Sequence, residues 1–159
     1  MNKGERTINP NSFAYMALFS WPIVTFLLYQ RKSVVKATLW SILGAYLILP
    51  AKVSVDLPMI PPLDKMSISS LSAFIICRAI YGKQVKLLPN IGVGKLLLLI
   101  YVISPFFTTA FNPDPIIAGP LFINGMKYYD ALSAIIRQLI FILPLVLGYS
   151  LLRDNKLPR

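Results

Sequence analysis

The chain alternates between long apolar runs and short clusters of charged or proline-rich residues. A transmembrane helix needs about 20 mostly apolar residues, and shorter cores are tolerated when flanking side chains reach the lipid headgroups. Five runs meet this requirement. The pattern therefore predicts an all-α fold, a multi-pass transmembrane helix bundle with about five spans, over residues 13–29, 34–49, 68–81, 96–111 and 131–152.

The third predicted span is the weakest by composition. It is short, begins among four serines and contains Arg78, so a re-entrant or tilted segment is the alternative. Arg78 lies near Lys83 and Lys86 at one end, where long cationic side chains can reach the headgroups. We therefore predict that this segment also spans the bilayer.

Prolines occur both inside the predicted spans and in the connections between them. Pro22, Pro105 and Pro144 fall inside predicted spans, where a missing backbone N–H predicts a bend. The proline-rich connection over residues 51–67 predicts extended or polyproline backbone lying on the membrane surface. The connection over residues 112–131 is rich in Pro and Gly, which predicts irregular backbone outside lipid or packed on protein.

The composition agrees with a lipid environment. Hydrophobic residues make up 56% of the 159 residues and charged residues 14%, with a mean hydropathy of +0.65, whereas soluble domains carry about 25% charged residues. The net charge of +10 could indicate a nucleic-acid binder. The basic residues instead flank apolar runs, which is typical of cytoplasmic loops, so we predict a lipid bilayer as partner and no nucleic acid.

The residue inventory narrows the possible chemistry. Cys77 is the only cysteine and there is no histidine, which excludes intramolecular disulfides, Cys/His zinc sites and histidine-based triads. The segment GVGK at Gly92 to Lys95 lacks the first glycine and the Ser or Thr of a phosphate-binding loop. We predict no metal and no cofactor, and the sequence leaves the catalytic residues unknown.

The distribution of basic residues predicts the orientation. One side of the predicted bundle carries five Lys and Arg and the other carries ten, with Arg137 belonging to neither. Because basic residues are retained in the cytoplasm, the side with ten is predicted to be cytoplasmic. Segment 1–12 is then outside, residues 13–152 form the bundle, and the tail 153–159 is cytoplasmic.

Arg137 is the leading candidate for binding. It lies inside the fifth predicted span, seven residues after Asp130 and so about two helical turns away on the same face. One interpretation is a cation facing the bundle interior that binds an anionic group such as a phosphate. The alternative is an arginine that reaches the outer headgroups.

Three weaker candidates have simpler explanations. Arg78 lies near the predicted cytoplasmic end, where contact with headgroups accounts for it. Asp64 and Lys65 follow the proline-rich connection and could form part of an external acceptor surface, or the solvated end of a loop.

Three segments together resemble a known family: a first span closed by a basic turn, LILP before the loop DLPMIPPLDK, and RQLIFILPLVLGYSLLRD after a polar loop. They are similar to the N-terminal part of the O-antigen polymerase and O-antigen ligase superfamily. The resemblance implies a bacterial inner-membrane protein of polysaccharide assembly that acts on lipid-linked glycans. It would then be a glycosyltransferase-type polymerase or ligase, if enzymatic.

The family typically has ten or more spans and a large external loop that supplies arginines. The resemblance therefore implies a truncated chain or a half-molecule that needs its missing C-terminal half or a second membrane subunit, with Arg137 as its contribution to binding a polyprenyl diphosphate. Two alternatives remain: a small transporter or channel subunit with proline hinges, and a non-catalytic membrane assembly factor.

Overall fold

The computed structural model describes residues 12–51, 53–57, 60–82 and 92–153. Residues 1–11 of the predicted outer segment and 154–159 of the predicted tail lie outside these ranges. The described residues form five α-helices and two short hairpins, in the order α1 (Ser12–Arg31), α2 (Val34–Ile48), β1 (Val55–Leu57), β2 (Ile60–Leu63), α3 (Lys65–Tyr81), α4 (Gly92–Phe111), β3 (Ile116–Ala118), β4 (Leu121–Ile123) and α5 (Tyr128–Arg153).

The predicted all-α helix bundle is confirmed, with one helix for each apolar run. Helices α3, α4 and α5 begin three or four residues before the predicted spans. Two of these earlier starts have a capping explanation. The Asp64 side chain accepts a hydrogen bond from Ser67 N–H at 2.8 Å, and Asp130 Oδ2 accepts one from Lys127 N–H at 2.8 Å. Polar capping residues extend a helix beyond its apolar core.

Within the described residues, three helices are long and apolar enough to cross a bilayer: α1, α4 and the Tyr128–Leu151 part of α5. Helix α2 is apolar but has 15 residues, and α3 has 17. This is a helical membrane protein. That α2 and α3 also cross completely remains a prediction.

All three helices with an internal proline continue through it. In α4, Pro105 cannot donate to the carbonyl of Tyr101, and Ser104 Oγ donates to that oxygen instead, at 2.8 Å. A neighbouring serine thus replaces the backbone donor that proline removes, as expected where no water is present. The prolines therefore leave continuous helices.

Two buried clusters define how the helices run. One joins Tyr29 and Val34 with Cys77 and Leu147, from the ends of α1, α3 and α5 and the start of α2. The other joins the start of α1 and α3 to the end of α2, through Leu18, Trp21, Ala45, Leu49, Val53 and Ile68. Helices α1, α3 and α5 therefore run in one direction around a shared core, and α2 runs in the opposite direction.

Polar side chains also connect α1 to α2. Trp21 Nε1 donates to the Ser41 carbonyl at 2.9 Å, and the Tyr29 and Thr38 hydroxyls are 2.6 Å apart. A Cβ added to Gly44 would lie 3.3 Å from the Trp21 ring, so the glycine allows the indole to lie against α2. The indole of Trp21 and the hydroxyls of Tyr29 and Thr38 are thus hydrogen-bonded although they are buried, as hydrocarbon favours.

The two hairpins were not predicted. The first pairs Val55 with Leu63 and Leu57 with Ile60. The extended backbone agrees with the expectation for the proline-rich connection. Strand β2 packs against α3 and α5, and Val53 is buried in the core. The connection therefore packs against the end of the bundle, and its position on the membrane surface stays a prediction.

Candidate functional site: a lipid-facing cleft

A cleft of about 510 Å³ lies between α3 and α4, and α5 forms its floor. Helix α5 packs against both α3 and α4, whereas the described parts of α3 and α4 do not contact each other. The volume is within the range of about 300–1,000 Å³ typical of ligand pockets. The lining residues are Phe74 of α3, Lys95, Leu98, Leu99 and Val102 of α4, and Leu139, Ile142, Leu143 and Val146 of α5.

The walls follow from helical spacing. The residues that α4 and α5 contribute both follow the pattern i, i+3, i+4, i+7, which places them on one stripe of each helix. Because both stripes are built from Leu, Ile and Val apart from Lys95 at the start of the α4 stripe, most of the cleft presents a hydrocarbon surface that fits an aliphatic chain. Phe74 closes the third side.

Lys95 is the one charged side chain among the lining residues. It lies in the first turn of α4, where the free N–H groups of the helix also favour negative charge. Helices α4 and α5 are antiparallel, so this end of the cleft is also the end at which α5 finishes. The cleft thus combines an apolar trough with a cationic end, the arrangement that matches an anionic lipid.

Arg137 lies on the exposed surface of α5, with its guanidinium carbon 5.4 Å from the centre of the Phe141 ring. The side chain therefore does not face the bundle interior. Asp130 is exposed as well, and its carboxylate caps the start of α5. The two residues share a helix face, as predicted, but each makes a separate contact. A role for Arg137 and Asp130 in binding stays a prediction.

The weaker candidates make local contacts. Asp64 caps α3, and Lys65 Nζ donates to the Tyr46 carbonyl at 2.9 Å, which joins the start of α3 to the end of α2. The Arg78 guanidinium donates to the carbonyl of Gly82, the residue that ends α3. All three side chains therefore make hydrogen bonds to backbone groups at helix ends.

Three polar side chains could not be singled out from the sequence. Lys95 is one basic residue among several near the start of α4, and only the fold shows the cleft beside it. Gln138 Oε1 and Thr25 Oγ1 are the buried side-chain polar atoms that lack a hydrogen bond within the described ranges. Gln138 lies one helical turn before Ile142 of the cleft floor.

No protein-family model, curated protein or solved structure matches this chain. The resemblance to the O-antigen polymerase and ligase superfamily therefore stays a prediction.

Proposed function

We propose that this membrane protein binds an anionic lipid, with the tail in the cleft and the phosphate-bearing head beside Lys95. The observation that carries the proposal is the apolar trough between α3, α4 and α5 with one cation, Lys95, among its described lining residues and at one end. A helix start adds donors at the same end.

Charge and fit, more than hydrophobicity, would provide the selectivity. A lipid tail leaves a bilayer that is as apolar as the cleft, so its transfer gains little free energy. Van der Waals fit against the two Leu-rich stripes and attraction between Lys95 and the head must therefore distinguish one lipid from another. A basic residue near a membrane surface contributes about 1 kcal/mol to the binding of anionic lipid.

Within this class we propose a lipid-linked glycan as the physiological ligand, in polysaccharide assembly at a bacterial inner membrane. The segments that resemble the polymerase and ligase superfamily support this role, and such lipids carry the anionic diphosphate that a cation would recognise. The distribution of Lys and Arg supports an outer N-terminus and a cytoplasmic C-terminus, which would put Lys95 at the cytoplasmic end. A second membrane subunit would complete the assembly.

Lipid retention by the purified protein tests the proposal. The protein is solubilised in detergent, mixed with anionic and zwitterionic phospholipids that have the same tails, and analysed by native mass spectrometry. We expect the wild type to retain the anionic lipid preferentially and Lys95→Gln to lower that retention about fivefold, the equivalent of ~1 kcal/mol. Val102→Phe, which fills the cleft, is expected to lower retention of both lipids.

Matched controls separate the cleft from general surface charge. Lys36→Gln removes an exposed cation near the same end of the bundle, and Leu97→Phe enlarges an exposed α4 side chain outside the cleft. Both are expected to bind lipid as the wild type does. Equal losses in Lys36→Gln and Lys95→Gln would contradict the cleft proposal.

Retention of a polyprenyl diphosphate tests the glycan role separately. If the protein retains this lipid in preference to a phospholipid, the result supports polysaccharide assembly. Retention by Arg137→Gln shows whether the exposed arginine contributes to binding the diphosphate. Retention no stronger than that of a phospholipid would count against the glycan role while leaving lipid binding in place.

A non-catalytic assembly factor is the second candidate, because α4 leaves most of its surface free. Thr109 is the one buried residue assigned to this helix, and large side chains such as Leu97, Phe107 and Phe111 are exposed. A partner helix could pack there. A lipid-borne photoprobe that labels α4 in purified vesicles but not in native membranes would favour this function.

A further inference from the structure

The second hairpin is a small apolar projection at the end of the bundle where α4 finishes and α5 begins. Strands β3 and β4 pair in register, with Ile117 opposite Phe122. Gly119 and Pro120 form the turn, and Gly119 has φ +61. A two-residue hairpin turn with positive φ at its first position and a proline at its second matches type II′.

The Ile117 and Phe122 side chains are 71% and 60% exposed although they form a cross-strand pair on one face. Strands β3 and β4 contact each other and no other described helix or strand. Two-stranded hairpins are marginally stable in water, and an exposed apolar face normally marks an interaction. The face therefore needs a surface to lie against.

The base of the hairpin is held tightly. Met126 N–H donates to the Asn112 carbonyl at 3.0 Å, which closes the loop immediately after α4. A Cβ added to Gly125 would lie 1.8 Å from the Pro113 carbonyl oxygen, so the two sides of the loop are in backbone contact there. These contacts fix the hairpin to the ends of two helices that can span a bilayer.

The surroundings of the hairpin identify its partner. Phe111 at the end of α4 and Tyr128 at the start of α5 are 79% and 73% exposed, and Met126 is also exposed. Aromatic residues at helix ends lie at the headgroup level of a membrane. The apolar face of the hairpin is thus attached at the end of the bundle where exposed aromatic side chains mark the headgroup level, and lipid is the neighbour at that level.

We propose that the Ile117–Phe122 face of the β3–β4 hairpin inserts into the boundary between headgroups and acyl chains of the adjacent leaflet. Apolar side chains of interfacial elements lie about 5–10 Å below the headgroup surface. The hairpin then acts as a membrane anchor that holds the ends of α4 and α5 at a fixed depth. This inference is independent of the proposed lipid cleft.

The test uses an environment-sensitive fluorophore on Ile117→Cys or Phe122→Cys, with Asn124→Cys as the control from the exposed part of the same loop. Cys77 is fully buried, so the parent protein provides the labelling background. In purified vesicles we expect both hairpin labels to be quenched by a nitroxide near the top of the lipid tail. We expect them to be several-fold less sensitive to aqueous iodide than the control.

Hairpin labels that iodide reaches as easily as the control would overturn the proposal. Protection in native membranes combined with exposure in purified vesicles would also overturn it, because a protein partner would then cover the face. A variant that carries both Ile117→Ser and Phe122→Ser makes this face of the hairpin polar. In that variant, a label at Tyr128→Cys is expected to insert less deeply into the bilayer than the same label in a protein with the unchanged hairpin.

Discussion

Helices α3 and α4 have similar lengths and opposite environments. Helix α3 contains serines and an arginine, yet it packs against α1, α2 and α5 and buries Ser67, Ile68, Ser69, Ser70, Ser72, Ala73 and Cys77. Helix α4 is dominated by Leu, Ile and Phe, contacts α5 and buries Thr109. In a bilayer, apolar character marks contact with lipid and small polar residues mark contact with other helices.

The same contrast explains the cleft. Small residues let α3 approach its neighbours closely, whereas the large side chains of α4 keep it at the edge of the bundle. The described parts of α3 and α4 therefore leave a gap over α5, and Lys95 lies at its end.

The largest expected effect comes from one substitution made in both helices. Ala73 is fully buried in α3, and Ala110 is exposed on α4. Ala73→Leu forces three extra carbons into a packed contact and is expected to destabilise the protein by about 3 kcal/mol, whereas Ala110→Leu gains only lipid contact. Unfolding in detergent titrated with SDS measures both changes. Equal stabilities would show that α3 is not the packed centre.

This contrast could be predicted only in part. The five helices follow from apolar runs, because an unpaired backbone in hydrocarbon forces them to form. The first turns of α3 and α5 lie outside the predicted spans, because polar residues such as Asp64 and Asp130 cap these helices and a span predicted from hydropathy begins at an apolar residue. The run LLLLI at residues 96–100 is apolar on every face, so its periodicity does not show which stripe lines the cleft.

The hairpins were missed for a different reason. Strands of three or four residues are too short for an alternating pattern to be recognised, and Pro61 and Pro62 argue against a strand. The position of Arg137 depends on which face of α5 contacts α3 and α4. A helix that is apolar on all sides leaves that rotation undetermined by sequence.

The two tryptophans lie in different environments, one in the core and one on the lipid-facing surface. Trp21 is buried and donates to the Ser41 carbonyl, whereas Trp40 is 56% exposed. We expect Trp21→Phe to cost about 1–2 kcal/mol, because it removes a buried hydrogen bond and part of the packing. Trp40→Phe is expected to change the free energy of unfolding by less than about 0.5 kcal/mol. A reversed order would contradict the assignment of faces.

The smallest effect concerns the proline in α4. Ser104→Ala removes the donor to the Tyr101 carbonyl and is expected to cost about 0.6 kcal/mol, the order of magnitude measured for side-chain hydrogen bonds between membrane helices. In a Pro105→Ala background the restored backbone N–H can occupy that carbonyl, so Ser104→Ala is expected to cost almost nothing. A double-mutant cycle measured by unfolding gives the coupling, and purely additive costs would contradict the replacement of one donor by the other.

Photolabelling from inside the bilayer shows whether α4 lies against lipid while α3 is packed inside the bundle. A carbene generated on a lipid tail reacts with whatever lies against it, and mass spectrometry of peptides locates the products. We expect dense labelling of α4 along residues 96–107 and almost none over residues 67–73 of α3. Labelling of that α3 segment as strong as that of α4 would contradict this assignment of the two helices.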